Sequence, residues 1–172
     1  AVIAAAAEDV PQLAWWANCT GVTGAPFDSW LTLRGLRTLG VRIARQQATA
    51  GKIAAFLATH PKVSAVHYPG LKSHPGHAIA RAQQSGFGAM LSFEVAGDES
   101  TLKATLARLK RFTLAESLGG VESLVAHPAT MTHASMGAGA HARAGIGETL
   151  LRLSVGLEHE DDLIGDLERA LA

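Results

Sequence analysis

The chain has 172 residues, 48% of them hydrophobic and 17% charged, with fifteen basic and fifteen acidic side chains that cancel at neutral pH. That composition suits one globular domain with a sizeable core and excludes a disordered chain. Balanced charge without a dense basic block makes nucleic acid and anionic membrane poor partners, no stretch is apolar for long enough to span a bilayer, and the single cysteine, Cys19, excludes an intrachain disulfide and fits a reducing cytosol.

The start, Ala1-Val2-Ile3-Ala4, reads as an apolar strand with no polar lead-in and no basic region of the kind that opens a signal peptide. Buried strands rarely begin at a terminus, so the chain is expected to be the downstream part of a longer polypeptide. Asp9-Val10-Pro11 predicts a helix start, with Asp9 as cap, Pro11 in the first turn and Leu13, Trp16 and Ala17 at helical spacing. Gly21, Gly24 and Pro26 break it. A second helical stretch runs from Phe27 to Gly35, and a long helix continues to His60, where Pro61 stops it. Leu39, Ile43, Ala50, Ile53 and Leu57 form the apolar stripe of the long helix, with Arg42, Arg45 and Lys52 elsewhere on its surface.

Val63 to Tyr68 predicts a short strand ended by Pro69-Gly70, and His77 to Gln84 a short helix. Phe87 to Val95 alternates, with Phe87, Ala89, Leu91, Phe93 and Val95 on one face, so it reads as a strand with one buried side. Asp98 caps a helix carrying Leu102, Leu106 and Leu109 in line. Phe112 to Leu118 and Leu150 to Leu157 are the third and fourth strands, and a last helix has Leu163, Leu167 and Leu171 on one side. Four strands among helices of unequal length predict an α+β fold, a small and largely antiparallel sheet with helices packed on it.

Arg152 sits mid-strand among apolar neighbours, where an unpaired guanidinium is costly. Two readings fit: a buried ion pair with a nearby carboxylate, or a clamp on the carboxylate of a ligand, with Gly156 on the same face leaving room for it. Glu116 and Ser117 lie at the end of an apolar run, beside Gly119-Gly120. That arrangement fits a tight hairpin turn or a loop approaching a ligand. Ser117 has no Gly-x-Ser-x-Gly elbow around it, which argues against a serine hydrolase. A second polar cluster, His127-Pro128 and Thr130 to His133, follows. The eight histidines do not form a metal set: His74 and His77 flank a Pro-Gly turn without an acidic or cysteine partner at ligand spacing. Gly137-Ala-Gly139 is no phosphate loop, because no strand precedes it and Ala142 stands where a third glycine is needed.

Phe112-Thr-Leu-Ala-Glu-Ser-Leu-Gly-Gly-Val-Glu-Ser-Leu, followed by His127-Pro-Ala-Thr-Met-Thr-His133, resembles the C-terminal domain signature of the Cys/Met-metabolism family of pyridoxal-phosphate enzymes. The segments Trp15-Trp-Ala-Asn18, Thr23-Gly-Ala-Pro-Phe-Asp-Ser29, Leu33-Arg-Gly-Leu-Arg-Thr-Leu39, Ser85 to Glu94 and Leu150-Leu-Arg-Leu-Ser154 resemble successive family segments in the same order. The nearest branch is that of the cystathionine γ-synthases, with the γ-lyases and homoserine-ester sulfhydrylases as alternatives.

The resemblance implies an aspartate-aminotransferase-like fold. Residues 1–30 would be the end of the large cofactor domain, and residues 31–172 the small α+β domain. It further implies γ-replacement, in which an O-succinyl- or O-acetylhomoserine and cysteine give cystathionine. Arg152 would bind the substrate α-carboxylate, Ser117 would hydrogen-bond the catalytic lysine, and Glu116 would help select the substrate. In the family the cofactor lysine lies in a Ser-x-Thr-Lys segment upstream of the part matching Ala1, and the other cofactor contacts are upstream too. None of Lys52, Lys62, Lys72, Lys103 and Lys110 sits in such a motif, so no cofactor-binding residue and no activity of the chain alone are expected. The complete enzyme would be a cytoplasmic homotetramer joined to the N-terminal remainder of its own polypeptide. A free-standing α+β interaction module is the non-enzyme alternative.

Overall fold

The computed structural model describes residues 6–22 and 24–172, so the strand expected at Ala1–Ala4 and the residue Thr23 lie outside the described residues. The chain divides into two compact units, residues 1–40 and 41–172.

The first unit holds α1 (Val10–Thr20) and α2 (Pro26–Leu36), each with proline in its first turn, where a missing N–H costs nothing. Gly21 ends α1 in the left-handed conformation, φ +69°, that glycine adopts without strain. Asp9 does not cap α1: its backbone is already helical, and its side chain accepts no hydrogen bond from the helix. Trp15 and Trp16 meet edge to face at 4.8 Å, and Phe27 stacks on Trp30 at 5.9 Å, all four with exposed rings.

The second unit is a sheet with helices on one face. α3 (Leu39–Thr59), all but its first two residues in this unit, buries Gln46, Thr49, Ala50, Ile53, Ala54 and Leu57. Positions 46, 50, 53 and 57 repeat at helical spacing, so the stripe is real from Gln46 onward. Its expected upper end is not, since Leu39 and Ile43 are exposed. The strands are β1 (Val63–His67), β2 (Met90–Val95), β3 (Thr113–Leu114), β4 (Leu124–Ala126) and β5 (Leu150–Ser154), in the spatial order β1-β2-β5-β4-β3. β1/β2, β2/β5 and β5/β4 are antiparallel, while β4/β3 is parallel. Four strands were expected. The fifth, β4, is three buried apolar residues with no alternation to betray it, and the expected strand from Phe112 to Leu118 is regular only at Thr113–Leu114.

Side chains alternate across the pleat, so one face of the sheet carries Leu91, Phe93, Val95, Val125, Leu151, Leu153 and Val155 into the core. They pack against α3, against Leu102 of α5 (Glu99–Arg108), and against Leu163, Leu167 and Leu171 of α7 (Glu160–Leu171). Each large apolar side chain so buried contributes about 1.5–3 kcal/mol. The other face presents Ser92, Glu94, Leu124, Ala126, Arg152 and Ser154. Two short helices, α4 (His77–Gln83) and α6 (Ala138–Ala144), lie in the connections.

One carboxylate ties the end of α5 to α7. The Asp166 side chain is fully buried and accepts backbone N–H bonds from Lys110, Arg111 and Phe112 at 2.7–3.2 Å, and Arg169 pairs with it. Asp166→Ala orphans three N–H donors, that of Phe112 buried, and is expected to lower the free energy of unfolding by about 1–3 kcal/mol, read by urea denaturation. Asp98 caps α5 as expected. Donors from the Ser100 hydroxyl, the Thr101 N–H and the Thr101 hydroxyl hold its pKa at about 2, below the ordinary 3.8. The depressed value means that its contribution is fully present above the unfolded pKa and is lost as pH falls from 3.8 through about 2. Thermal melts across that window should therefore show the stability of Asp98→Ala falling less steeply with pH than the wild type's; identical acid limbs would contradict the cap.

Candidate active site

Residues 115–123 join β3 to its parallel neighbour β4, so the Gly119-Gly120 stretch is not a hairpin turn. A connection this short has no helix of its own to brace it, and it is held instead by groups from three other places. From α3, the buried Gln46 amide donates to the Gly120 carbonyl at 2.7 Å. From β5, the buried Ser154 hydroxyl accepts the Gly119 N–H at 2.8 Å, with Gly119 at φ +77°. From the turn after β5, Glu158 accepts both the N–H and the hydroxyl of Ser123, at 2.8 and 2.7 Å. The same Ser123 oxygen accepts the Gly156 N–H at 2.8 Å, and Leu157 N–H donates to the Val121 carbonyl at 2.8 Å.

Gly156 therefore makes room for a chain, not for a ligand. A β-carbon there would lie 2.5 Å from the Val121 oxygen and from the Glu122 carbonyl carbon, closer than any real contact.

Glu116 and Ser117, the two side chains singled out in the loop, are exposed and have no hydrogen-bond partner among the described residues. The third, Arg152, reaches them. It lies on the non-core face of β5, paired in register with Ser92 of β2 and Ala126 of β4, and donates from Nη2 to the Glu116 carbonyl at 3.0 Å. Among the described residues no carboxylate lies within 4.0 Å of it, so the buried ion pair is absent and most of its N–H donors are uncommitted. Arg152 thus meets the backbone of the segment that carries Glu116 and Ser117. A half-exposed guanidinium over a sheet face, beside a hydroxyl and a carboxylate on a pinned loop, is suited to orienting a small carboxylate.

The second polar cluster does not join them. His127 is buried and fully used: Nε2 donates to the Glu148 carbonyl at 2.9 Å and Nδ1 accepts from the Thr130 hydroxyl at 2.8 Å. His133 is half-buried, with its ring Nδ1 2.8 Å from the Thr132 hydroxyl. No group of three or more metal-ligating side chains occurs among the described residues. The supporting residues Gln46, Ser154, Ser123 and Glu158 have no motif of their own. The one signal was polarity out of place: Gln46 and Thr49 interrupt an apolar stripe, and Ser154 shares the strand face of Arg152.

A profile of the family described as "Cys/Met metabolism PLP-dependent enzyme" matches residues 1–172. The chain belongs to that family. It is 58% identical over 167 residues to cystathionine gamma-synthase of Escherichia coli K12, covering 97% of this chain and 43% of that protein. A cystathionine beta-lyase of Coxiella burnetii is 51% identical over 93% of the chain and 41% of its own length. Among solved structures, cystathionine gamma synthase of Xanthomonas oryzae pv. oryzae, in complex with aminoacrylate and cysteine, superposes with a TM-score of 0.91 at 57% identity, over 98% of this chain and 44% of that one. The chain therefore spans less than half the length of the relatives it matches. The α+β fold expected from the sequence is the one these neighbours share over 98% of the chain.

Family membership implies pyridoxal phosphate. Holding it takes an amine for its aldehyde, and the five lysines here are all exposed. Lys52 pairs with Glu160, Lys103 with Glu99, and Lys62 bonds the Ala172 carbonyl. A guanidinium is no such amine, so Arg152, Glu116 and Ser117 do not themselves fit covalent attachment of the cofactor.

Gly156→Ala should push the 121–122 backbone away and cost about 1–3 kcal/mol. It should also speed limited proteolysis within residues 116–123; unchanged cleavage would mean that the loop is not held from this turn.

Proposed function

We propose that this chain forms the substrate-carboxylate side of a γ-replacement active site, in which an O-acylhomoserine and cysteine give cystathionine. The observation that carries the reading is Arg152, a guanidinium on the central strand, steered by the Glu116 carbonyl and free of any carboxylate among the described residues. Such a group binds an amino-acid carboxylate through paired charge-assisted bonds and so fixes which way the substrate backbone lies. The Ser117 hydroxyl, on the same loop, hydrogen-bonds the amine of the cofactor-bearing lysine and keeps it aligned for proton transfer. Glu116 faces the distal part of the substrate and takes part in selecting it. Pyridoxal phosphate, when bound, supplies the electron sink for charge that develops next to the substrate amine.

In this reading the cofactor-bearing lysine comes from a segment other than residues 1–172, residues 1–30 complete the large domain, and residues 31–172 are the small one. The working enzyme is a cytoplasmic homotetramer, and the 172-residue chain alone has no turnover. The exposed lysines and the coverage of 43% of a full-length relative support this division. Among the described residues no helix is long and apolar enough to cross a membrane.

A second reading is carbon–sulfur lysis of cystathionine. It is favoured by the 51% identity to a beta-lyase and by the 46% identity to the cystathionine gamma-lyase of Bacillus subtilis. Incubating the whole enzyme with O-succinylhomoserine plus cysteine, and separately with cystathionine alone, distinguishes the two: net cystathionine formation supports replacement, and net consumption supports lysis. In either case Arg152→Ala in the whole enzyme should raise KM for the amino-acid substrate by roughly 30- to 1000-fold, the loss of a charge-assisted bidentate contact of about 2–4 kcal/mol. A KM within twofold of wild type removes Arg152 from the site.

A further inference from the structure

The charges that cancel over the whole chain do not cancel along it. None of the fifteen acidic residues falls between Ser29 and Phe93, a run that holds eight of the fifteen basic ones. Within it, the segment from Pro69 to Gly88 folds around a concavity of about 410 Å³ whose lining includes Gly70, Lys72, His77, Arg81, Gln84 and Phe87. No carboxylate lines it, and neither Lys72 nor Arg81 has an ion-pair partner among the described residues.

Buried groups set its shape. Tyr68, 3% exposed, donates its hydroxyl to the Gly88 carbonyl at 3.1 Å, and its ring lies so close to Gly70 that a β-carbon there would overlap it. One side chain thus ties together the two rims, residues 70–72 and 84–88. His77 Nδ1 donates to the Pro69 carbonyl at 2.7 Å, which fixes the tautomer, and the imidazole stacks on Phe87 with centroids 5.4 Å apart. His77 Nε2 is left without a partner among the described residues. The Gln47 amide of α3 packs against Gly86, in the space a β-carbon there would take.

We propose that this concavity is a binding site for a small oxyanion, a phosphoryl or carboxylate group carried by a metabolite. Uncompensated cations around a concave, preformed surface raise the local concentration of anions. Guanidinium and ammonium take oxyanions through charge-assisted bonds, and the Gln84 amide and Ser85 hydroxyl add neutral donors. Phe87 supplies an apolar wall for the carbon skeleton. The volume is ample for one such group with a short carbon chain. The site shares no residue with the Arg152 mouth and stands or falls apart from it.

NMR titration of the whole protein, labelled at histidine, glycine and phenylalanine, with inorganic phosphate and, separately, with succinate, at constant ionic strength in sodium chloride, reads the site through the His77 ring and the Gly86 and Phe87 amides. At least one anion should give saturable shifts with a midpoint below about 10 mM, weakened about tenfold or more in the double variant Lys72→Ala, Arg81→Ala. Both substitutions are at exposed positions and should leave the rest of the spectrum in place. The anion that saturates first identifies the group as phosphoryl or carboxylate. Shifts that stay linear with both anions, or that the double variant keeps, overturn the proposal. Arg152→Ala should retain the response; its loss there would move the binding to the other mouth and overturn the proposal equally.

Discussion

The register of β5 is the constraint on which the rest of this structure depends. Leu151, Leu153 and Val155 are fully buried beneath α3, α5 and α7, while Arg152 and Ser154 alternate with them onto the opposite face. A slip of one residue would exchange the two sets and bring a guanidinium against Phe93 and Leu163. Burying that charge without a partner costs several kcal/mol, in addition to the apolar area lost. The core therefore fixes where Arg152 points. The residue with the strongest claim to bind a ligand is displayed by the same alternation that assembles the hydrophobic interior, and it needs no separate device to hold it.

The loop between β3 and β4 divides the labour differently. Its second half, residues 119–123, is bound from α3, from β5 and from the 156–158 turn, so its backbone has little freedom. Its first half presents Glu116 and Ser117 outward with free side chains, anchored through the Glu116 carbonyl to Arg152. A held backbone carrying unpartnered polar side chains suits the role proposed for this loop. Gly119 and Gly156 are needed for backbone reasons alone, the first for its positive φ and the second for the close passage of the chain beside it.

Much of this was legible in the sequence where the period was long enough to be seen. The alternation of β2 and β5, the helices on either side and the Asp98 cap all follow from local pattern. Arg152 was conspicuous because it interrupts an apolar strand, and Glu116-Ser117 because it stands next to paired glycines. β4 escaped notice because three consecutive buried residues have no period, and α6 because its Gly/Ala-rich turn has no apolar stripe. Asp9 has the right residue type for a cap, but the helical turn already includes its backbone. The Gln46–Gly120 contact spans 74 positions, and nothing local records such a partner. Residue types alone left Arg152 open between ion pair and clamp. Geometry shows no ion pair among the described residues, and the clamp is proposed on the strength of the family resemblance.

The Asp166 carboxylate has a consequence for assembly. It gathers the N–H groups of residues 110–112, immediately before β3, from a helix more than fifty positions downstream. The Glu158–Ser123 bonds close another span of 35 residues. Contacts of this sequence separation carry their loop-closure entropy before they return any energy, so they form late in folding and only around a collapsed core. A nascent chain ending between β5 and Glu158 would have the strands and the arginine but not the carboxylate that holds Ser123, and one ending before α7 would leave the N–H groups of residues 110–112 without Asp166. The loop that displays Glu116 and Ser117 thus waits for the turn after β5, and the backbone that leads into it waits for the last helix.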